Sequence, residues 1–83
     1  MEKITYTGVR YDIREGFYVE ITPAISEKEK MYQFYLCHED YGIKTYMYGL
    51  LLKHIESEEH IISIISNTID DYIDAYRDEF IQD

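Results

Sequence analysis

The 83-residue sequence has few of the residues that cross-link or interrupt a small fold. Its one cysteine, Cys37, excludes an internal disulfide and fits a reducing compartment. Its one proline and four glycines all precede Leu50, so nothing in the last part breaks a helix. Its apolar runs are far shorter than the roughly 20 residues of a bilayer span, and its start does not resemble a signal peptide. We therefore expect one cytoplasmic domain, residues 1–83, without a membrane segment.

Basic residues are scarce: eight Lys and Arg stand against 17 Asp and Glu, for a net charge of −9. Residues 56–83 carry nine acidic side chains against Arg77 alone, a balance of −8, whereas residues 1–55 balance to −1. Such a concentrated negative field repels nucleic acid and lipid headgroups but attracts a basic protein surface. We therefore expect a basic protein partner, without direct binding of nucleic acid or membrane.

Alternating side chains near the start of the chain predict a β-hairpin. Residues 9–14 and 17–22 each alternate in polarity, and the turn Glu15-Gly16 separates them. Residues 4–7 extend the first strand backwards, with Gly8 marking a β-bulge.

A second hairpin is predicted over residues 31–38 and 43–50. Both segments are rich in Tyr, Phe, Thr and Ile, and a Gly-containing turn separates them. Pro23 is expected to end the preceding strand, with a charged loop over residues 24–30. Residues 26–38 also show the spacing of a capping box and a helical apolar repeat. Aromatic density favours strands there, and a helix stays open as the alternative.

Residues 57–82 predict one long helix. Ser57 is a suitable N-cap, acidic residues follow in the first turn, and the apolar side chains fall on about a third of the circumference. Asn67-Thr68 is the weakest point, because both residues lower helix propensity. The predicted fold is therefore α+β: a four-stranded antiparallel sheet of two hairpins over about residues 3–50, with the C-terminal helix packed on one face.

The helix carries a row of carboxylates that has two interpretations. Lysine is absent from residues 54–83, although Glu–Lys pairs would have stabilised an exposed helix face. The row is either the solvated face of an acidic protein or a rigid surface that docks into a cationic cleft. The candidate partner-binding residues are Asp70, Asp71, Asp74, Asp78 and Glu79.

With these five residues, the chain resembles small inhibitors that phages and other mobile elements direct against nucleic-acid enzymes. Anti-CRISPR and anti-restriction proteins are examples, and some of them mimic the phosphate backbone. The resemblance lies in size, acidity and a lone acidic helix. It implies a non-catalytic module whose acidic row occupies the place where a target enzyme's lysines and arginines hold nucleic acid.

Ten tyrosines and no tryptophan suggest a second surface. One helix covers one sheet face, so the other is exposed or covered by a partner, and tyrosine is enriched at interfaces. The alternative function is therefore a structural or regulatory interaction domain, a homodimer or accessory subunit, that pairs through this face. Its expected residues are Arg10, Arg14, Tyr18, Gln33, Tyr35, Lys44, Tyr46 and Tyr48, of which the four tyrosines are candidate partner-binding residues.

Chemistry-bearing motifs are missing from the sequence. Cys37, His38, His54 and His60 are the soft or imidazole groups, and their spacing matches no metal-ligand pattern. Cys37 and His38 do not form a nucleophile–base pair on a strand, because adjacent side chains there point to opposite faces. We expect no enzyme activity, no metal and no cofactor.

Overall fold

The computed structural model describes residues 9–81. Four strands form one antiparallel sheet in the order β1-β2-β3-β4, and a long helix packs on one face. This confirms the predicted α+β fold; the predicted extension over residues 4–7 and the bulge at Gly8 lie outside the described residues. The elements are β1 (Val9–Arg14), β2 (Phe17–Ser26), β3 (Glu29–His38), β4 (Tyr41–Leu51), a 3-10 turn (Leu52–His54) and α1 (Glu58–Phe80).

The middle of the sheet differs from the sequence-based expectation. The predicted strand end at Pro23 and the charged loop over residues 24–30 are both wrong, because β2 and β3 pair continuously to their ends at Ser26 and Glu29. Proline is tolerated where its missing N–H has no strand to meet. Within residues 9–81, β1 pairs with β2 only as far as Ile21, so Pro23 lies in a part of β2 that pairs with β3 alone. The helical alternative for residues 26–38 is excluded by the same pairing.

The β2–β3 connection is a two-residue turn whose sequence is unusual for its conformation. Glu27 and Lys28 both have positive φ, at 49° and 69°. Two-residue hairpins favour such left-handed turns because their twist matches that of the strands, and Asn-Gly normally fills them. A residue with a Cβ atom is destabilised by about 1 kcal/mol or more in this left-handed conformation. The turn is therefore strained relative to the usual sequence.

Replacing Glu27→Asn together with Lys28→Gly is expected to raise the free energy of unfolding by about 1 kcal/mol, because the strain is relieved. Urea unfolding followed by circular dichroism measures the change. The control is Asp40→Gly, which introduces glycine into a turn whose φ angles are not positive and leaves the ion pair between Arg10 and Glu39 intact. An equal gain in the control would contradict this explanation.

The core lies between the inner sheet face and α1, as the periodicities predict. Burying each large apolar side chain contributes roughly 1.5–3 kcal/mol. The sheet side chains that are almost fully buried are Phe17, Val19, Ile21, Phe34 and Leu36, and those of α1 are Ile61, Ile65, Ile69, Ile73 and Tyr76.

α1 runs without a break from its N-cap to Phe80. The Ser57 hydroxyl accepts a hydrogen bond from the His60 backbone N–H at 3.2 Å, which satisfies one donor of the first turn. Asn67-Thr68 does not interrupt the helix: the Thr68 hydroxyl lies 3.0 Å from the Ile64 carbonyl, to which it donates. The carboxylates of α1 are therefore held on one continuous rod.

Candidate protein-binding site

The outward face of α1 presents a line of three carboxylates, which we call the acidic ridge: Asp71, Asp74 and Asp78. All three side chains are exposed. Their spacing of three and four residues puts them on one side of the helix, about 10 Å from first to last. Glu79 is exposed too, but it lies about 100° around the helix from Asp78. Within residues 9–81, these four acids form no ion pair with a basic side chain.

Asp70 differs from the other four predicted acidic residues because it already has a basic partner. The Arg14 guanidinium donates a hydrogen bond to the Asp70 carboxylate. That bond is the main reason why the pKa of Arg14 is raised, and the charges of Glu15 and Asp74 raise it further. We therefore leave Asp70 out of the acidic ridge.

The one basic residue of α1 does not neutralise the acidic ridge. Arg77 donates a hydrogen bond to Glu15 in the β1–β2 turn, and its guanidinium lies 5.6 Å from the centre of the Phe17 ring. These contacts hold the Arg77 charge on the sheet side of the helix. The ridge therefore keeps its negative charge within the described part of the chain.

Two predicted residues of the outer sheet face lie on the helix side instead, and a register shift explains each of them. Ile13 is an extra residue against β2, so Arg14 comes opposite the core residue Phe17. Met47 is an extra residue against β3, so Tyr48 comes opposite Phe34, another core residue. One unpaired residue reverses the alternation of a strand, and these two predictions are therefore wrong.

Hydrogen bonds from tyrosine hydroxyls link α1 to β4. The Tyr48 hydroxyl lies 2.9 Å from that of Thr68, at hydrogen-bond distance. From the helix, Tyr72 donates to the Met47 carbonyl at 3.3 Å and Tyr76 to the Ile43 carbonyl at 3.0 Å. Strand alternation places Tyr48 on the outer face, and helical periodicity places Tyr72 and Tyr76 on the apolar stripe, so neither pattern indicates these hydrogen bonds. These bonds fix the rotation of α1 and thus the direction of the acidic ridge.

Three of the four predicted tyrosines do lie on the outer face. Tyr46 is 50 % exposed, and its ring packs edge-on against Tyr35 with centroids 5.5 Å apart. The Arg10 guanidinium lies 3.9 Å from the Tyr18 ring centre, and the Lys44 ammonium lies 5.2 Å from that of Tyr35. Cations thus stack on two of the rings, and no described element covers this face.

Cys37 and His38 are both held in structural roles. Cys37 is 4 % exposed, and burial, followed by the charge of Glu20, raises the pKa of its thiol, which disfavours the reactive thiolate. The Asp40 backbone N–H donates to Nδ1 of His38 at 3.1 Å, so Nε2 carries the proton and donates to the Glu15 carbonyl at 2.9 Å. Neither ring nitrogen of His38 is left to act on a substrate.

Within residues 9–81, no three His, Cys, Asp or Glu side chains are grouped so as to hold a metal ion. In the same part of the chain, no helix combines the length and the apolar character that crossing a membrane requires.

Within residues 9–81, the fold and its surface define an acidic α+β domain in which a long helix packs on an open four-stranded sheet. The chain matches no protein-family model, and its comparison with curated proteins and solved structures finds no significant match. The surface chemistry of the domain is therefore the basis for inferring its function.

The free energy of unfolding is expected to fall as pH rises above about 10, because burial raises the pKa of Tyr48 and Tyr76. Between the unfolded and the folded pKa, the two tyrosine hydroxyls stay protonated in the folded state but are ionised in the unfolded chain. The stability that the protonated hydroxyls contribute is fully present below the unfolded pKa and is lost as pH rises through the folded pKa. Urea unfolding from about pH 8 to about pH 11 measures the fall. Tyr48→Phe with Tyr76→Phe should make it shallower, whereas the exposed control Tyr46→Phe should not; an unchanged slope in the double variant would contradict the assignment.

Proposed function

We propose that this protein is a small acidic binding module that docks its acidic ridge on a cationic surface of a nucleic-acid-binding protein and blocks access to it. The observation that carries the proposal is a line of exposed carboxylates without ion-pair partners within residues 9–81, on a helix fixed by its core and by tyrosine hydroxyls.

The acidic ridge works against the stability of its own helix. Like charges three and four residues apart repel by a few tenths of a kcal/mol per pair. Lysine at Asp74 would have turned this repulsion into attraction. The nearest bases, Arg14 and Arg77, are bound to Asp70 and Glu15 instead. This arrangement supports a role for the ridge outside the molecule.

A rigid ridge suits electrostatic docking. Because α1 is already ordered, the free energy of binding is not reduced by an entropy cost of folding the helix. Complementary charge accelerates encounter and gives binding a strong dependence on salt. The resemblance to anti-CRISPR and anti-restriction inhibitors supports enzymes that hold nucleic acid in cationic clefts as the target class.

Protection of a plasmid from restriction or CRISPR cleavage tests the proposal directly. Cells that carry a nuclease system are transformed with its target plasmid, with and without expression of this protein. We expect higher transformation with at least one system. Binding of the purified nuclease, measured by biolayer interferometry, should weaken as salt rises because the ions screen the ridge.

Charge reversal by Asp74→Lys with Asp78→Lys is expected to abolish protection and to weaken binding by about tenfold or more, at an unchanged circular dichroism spectrum. Asp70 is avoided because its reversal would also break the pair with Arg14. The matched control, Glu56→Lys with Glu59→Lys, makes the same charge change at exposed positions off the ridge. Equal losses in both double variants would show that only net charge matters and would refute the ridge as the docking site.

A second candidate function is self-association through the outer sheet face, favoured by the exposed Tyr46 beside Tyr35. We expect a concentration-dependent dimer in sedimentation-velocity experiments, lost on Tyr46→Asp and kept on Ile43→Asp. Ile43 is a suitable control because it is another exposed residue of the same strand. A monomer at every concentration would eliminate this function and leave the first one standing.

A further inference from the structure

A wide apolar groove lies at the end of the sheet formed by the β2–β3 turn. Its volume is about 750 Å³, within the range of ligand-binding clefts. Ile25, on its wall, is 74 % exposed, the highest value among the exposed large apolar side chains of the described residues. We call this the tip groove, and its main lining residues are Pro23, Ile25, Lys30, Met31, Tyr32 and Leu52.

The tip groove is bordered by positive charge in a strongly acidic protein. Lys28 and Lys30 form no ion pair within residues 9–81, whereas Lys53 pairs with Glu29 at 2.9 Å. Together with Glu27, these residues give this end of the sheet three lysines and two glutamates, a net charge of +1. The rest of the chain therefore has a net charge of −10. Of the three lysines, Lys30 lines the tip groove itself, and all three, together with Glu29, line a second hollow of about 380 Å³ next to it.

The β2–β3 turn beside the tip groove independently indicates that this end of the sheet has a binding function. Lys28 stands at the end of the hairpin with φ of 69°, a conformation that a glycine would adopt without strain. Strained backbone is concentrated at functional sites, where a particular side chain is needed. Glu27 has a positive φ as well, so the turn holds two charged side chains in strained positions, and Lys28 is the one that lines the hollow beside the groove.

We propose that the tip groove binds an acidic peptide segment of a partner protein. One large aliphatic or aromatic side chain of the peptide would cover Ile25, and carboxylates beside it would pair with Lys28 and Lys30. The charge complementarity of the rim selects this occupant, since the same rim would repel a basic peptide. The inference is independent of the acidic ridge, which attracts partners of the opposite charge at another place on the molecule.

Phage-displayed random peptides selected on the immobilised full-length protein test this inference. We expect the enriched peptides to combine Asp or Glu with Leu, Ile or Phe. Fluorescence anisotropy with one such synthetic peptide should show Kd raised about tenfold by Ile25→Asp, because a central apolar anchor is lost. Lys28→Gln with Lys30→Gln should raise Kd several-fold and reduce its dependence on salt.

Matched variants separate local from general effects. Ile43→Asp places the same charge at another exposed isoleucine, and Ser63→Asp with Asn67→Asp changes net charge by the same two units on α1. Both controls should leave Kd unchanged. The peptide assay contains no nuclease, so failure of peptide binding is distinguishable from failure of the proposed function.

Four results would overturn the inference: no enrichment, enrichment of basic peptides, equal peptide binding by Ile25→Asp, or a dimer lost on Ile25→Asp. The last result would assign the groove to a second copy of the chain. Absence of enrichment together with thermal destabilisation by Ile25→Asp, but not by Ile43→Asp, would assign it to residues 1–8 of the same chain.

Discussion

The packing of α1 against the inner sheet face is the interaction on which the rest of the molecule depends. Ile61 and Ile65 are fully buried there, and Tyr76 combines burial with a hydrogen bond to the edge strand. The apolar contact holds the helix on the sheet, and the hydroxyl bonds limit its rotation. Because one flank of α1 is fixed inwards, the flank that carries Asp74 and Asp78 must face solvent.

Much of the fold could be predicted from the sequence because its signals are local and periodic. Ser57 and the apolar stripe define the helix, and alternation around Glu15-Gly16 defines the first hairpin. Pro23 was misleading, because its effect depends on whether a strand lies beside it, and only the assembled sheet decides this. The register shifts could not be predicted from the sequence either, because one unpaired residue changes neither the composition of a strand nor its average periodicity.

The candidate site shows the same division between local and non-local information. Helical spacing alone places Asp71, Asp74 and Asp78 on one line. The pair between Asp70 and Arg14 joins residues 56 positions apart and depends on the register shift in β1, so no local pattern indicates it. The tip groove was missed because the segment that forms it was expected to be a loop.

The separation of charge has a consequence for how partners would meet this protein. The last turns of α1 lie beside the β1–β2 turn, where Arg77 meets Glu15, while Lys28 and Lys30 stand at the opposite end of the sheet. The field of such a molecule is directional, so it orients an approaching charged protein as well as attracting it. Salt should act differently on the two surfaces: ridge contacts between exposed charges are screened within about 10 Å, whereas apolar burial over Ile25 is not. The two proposed kinds of contact would therefore respond differently to salt.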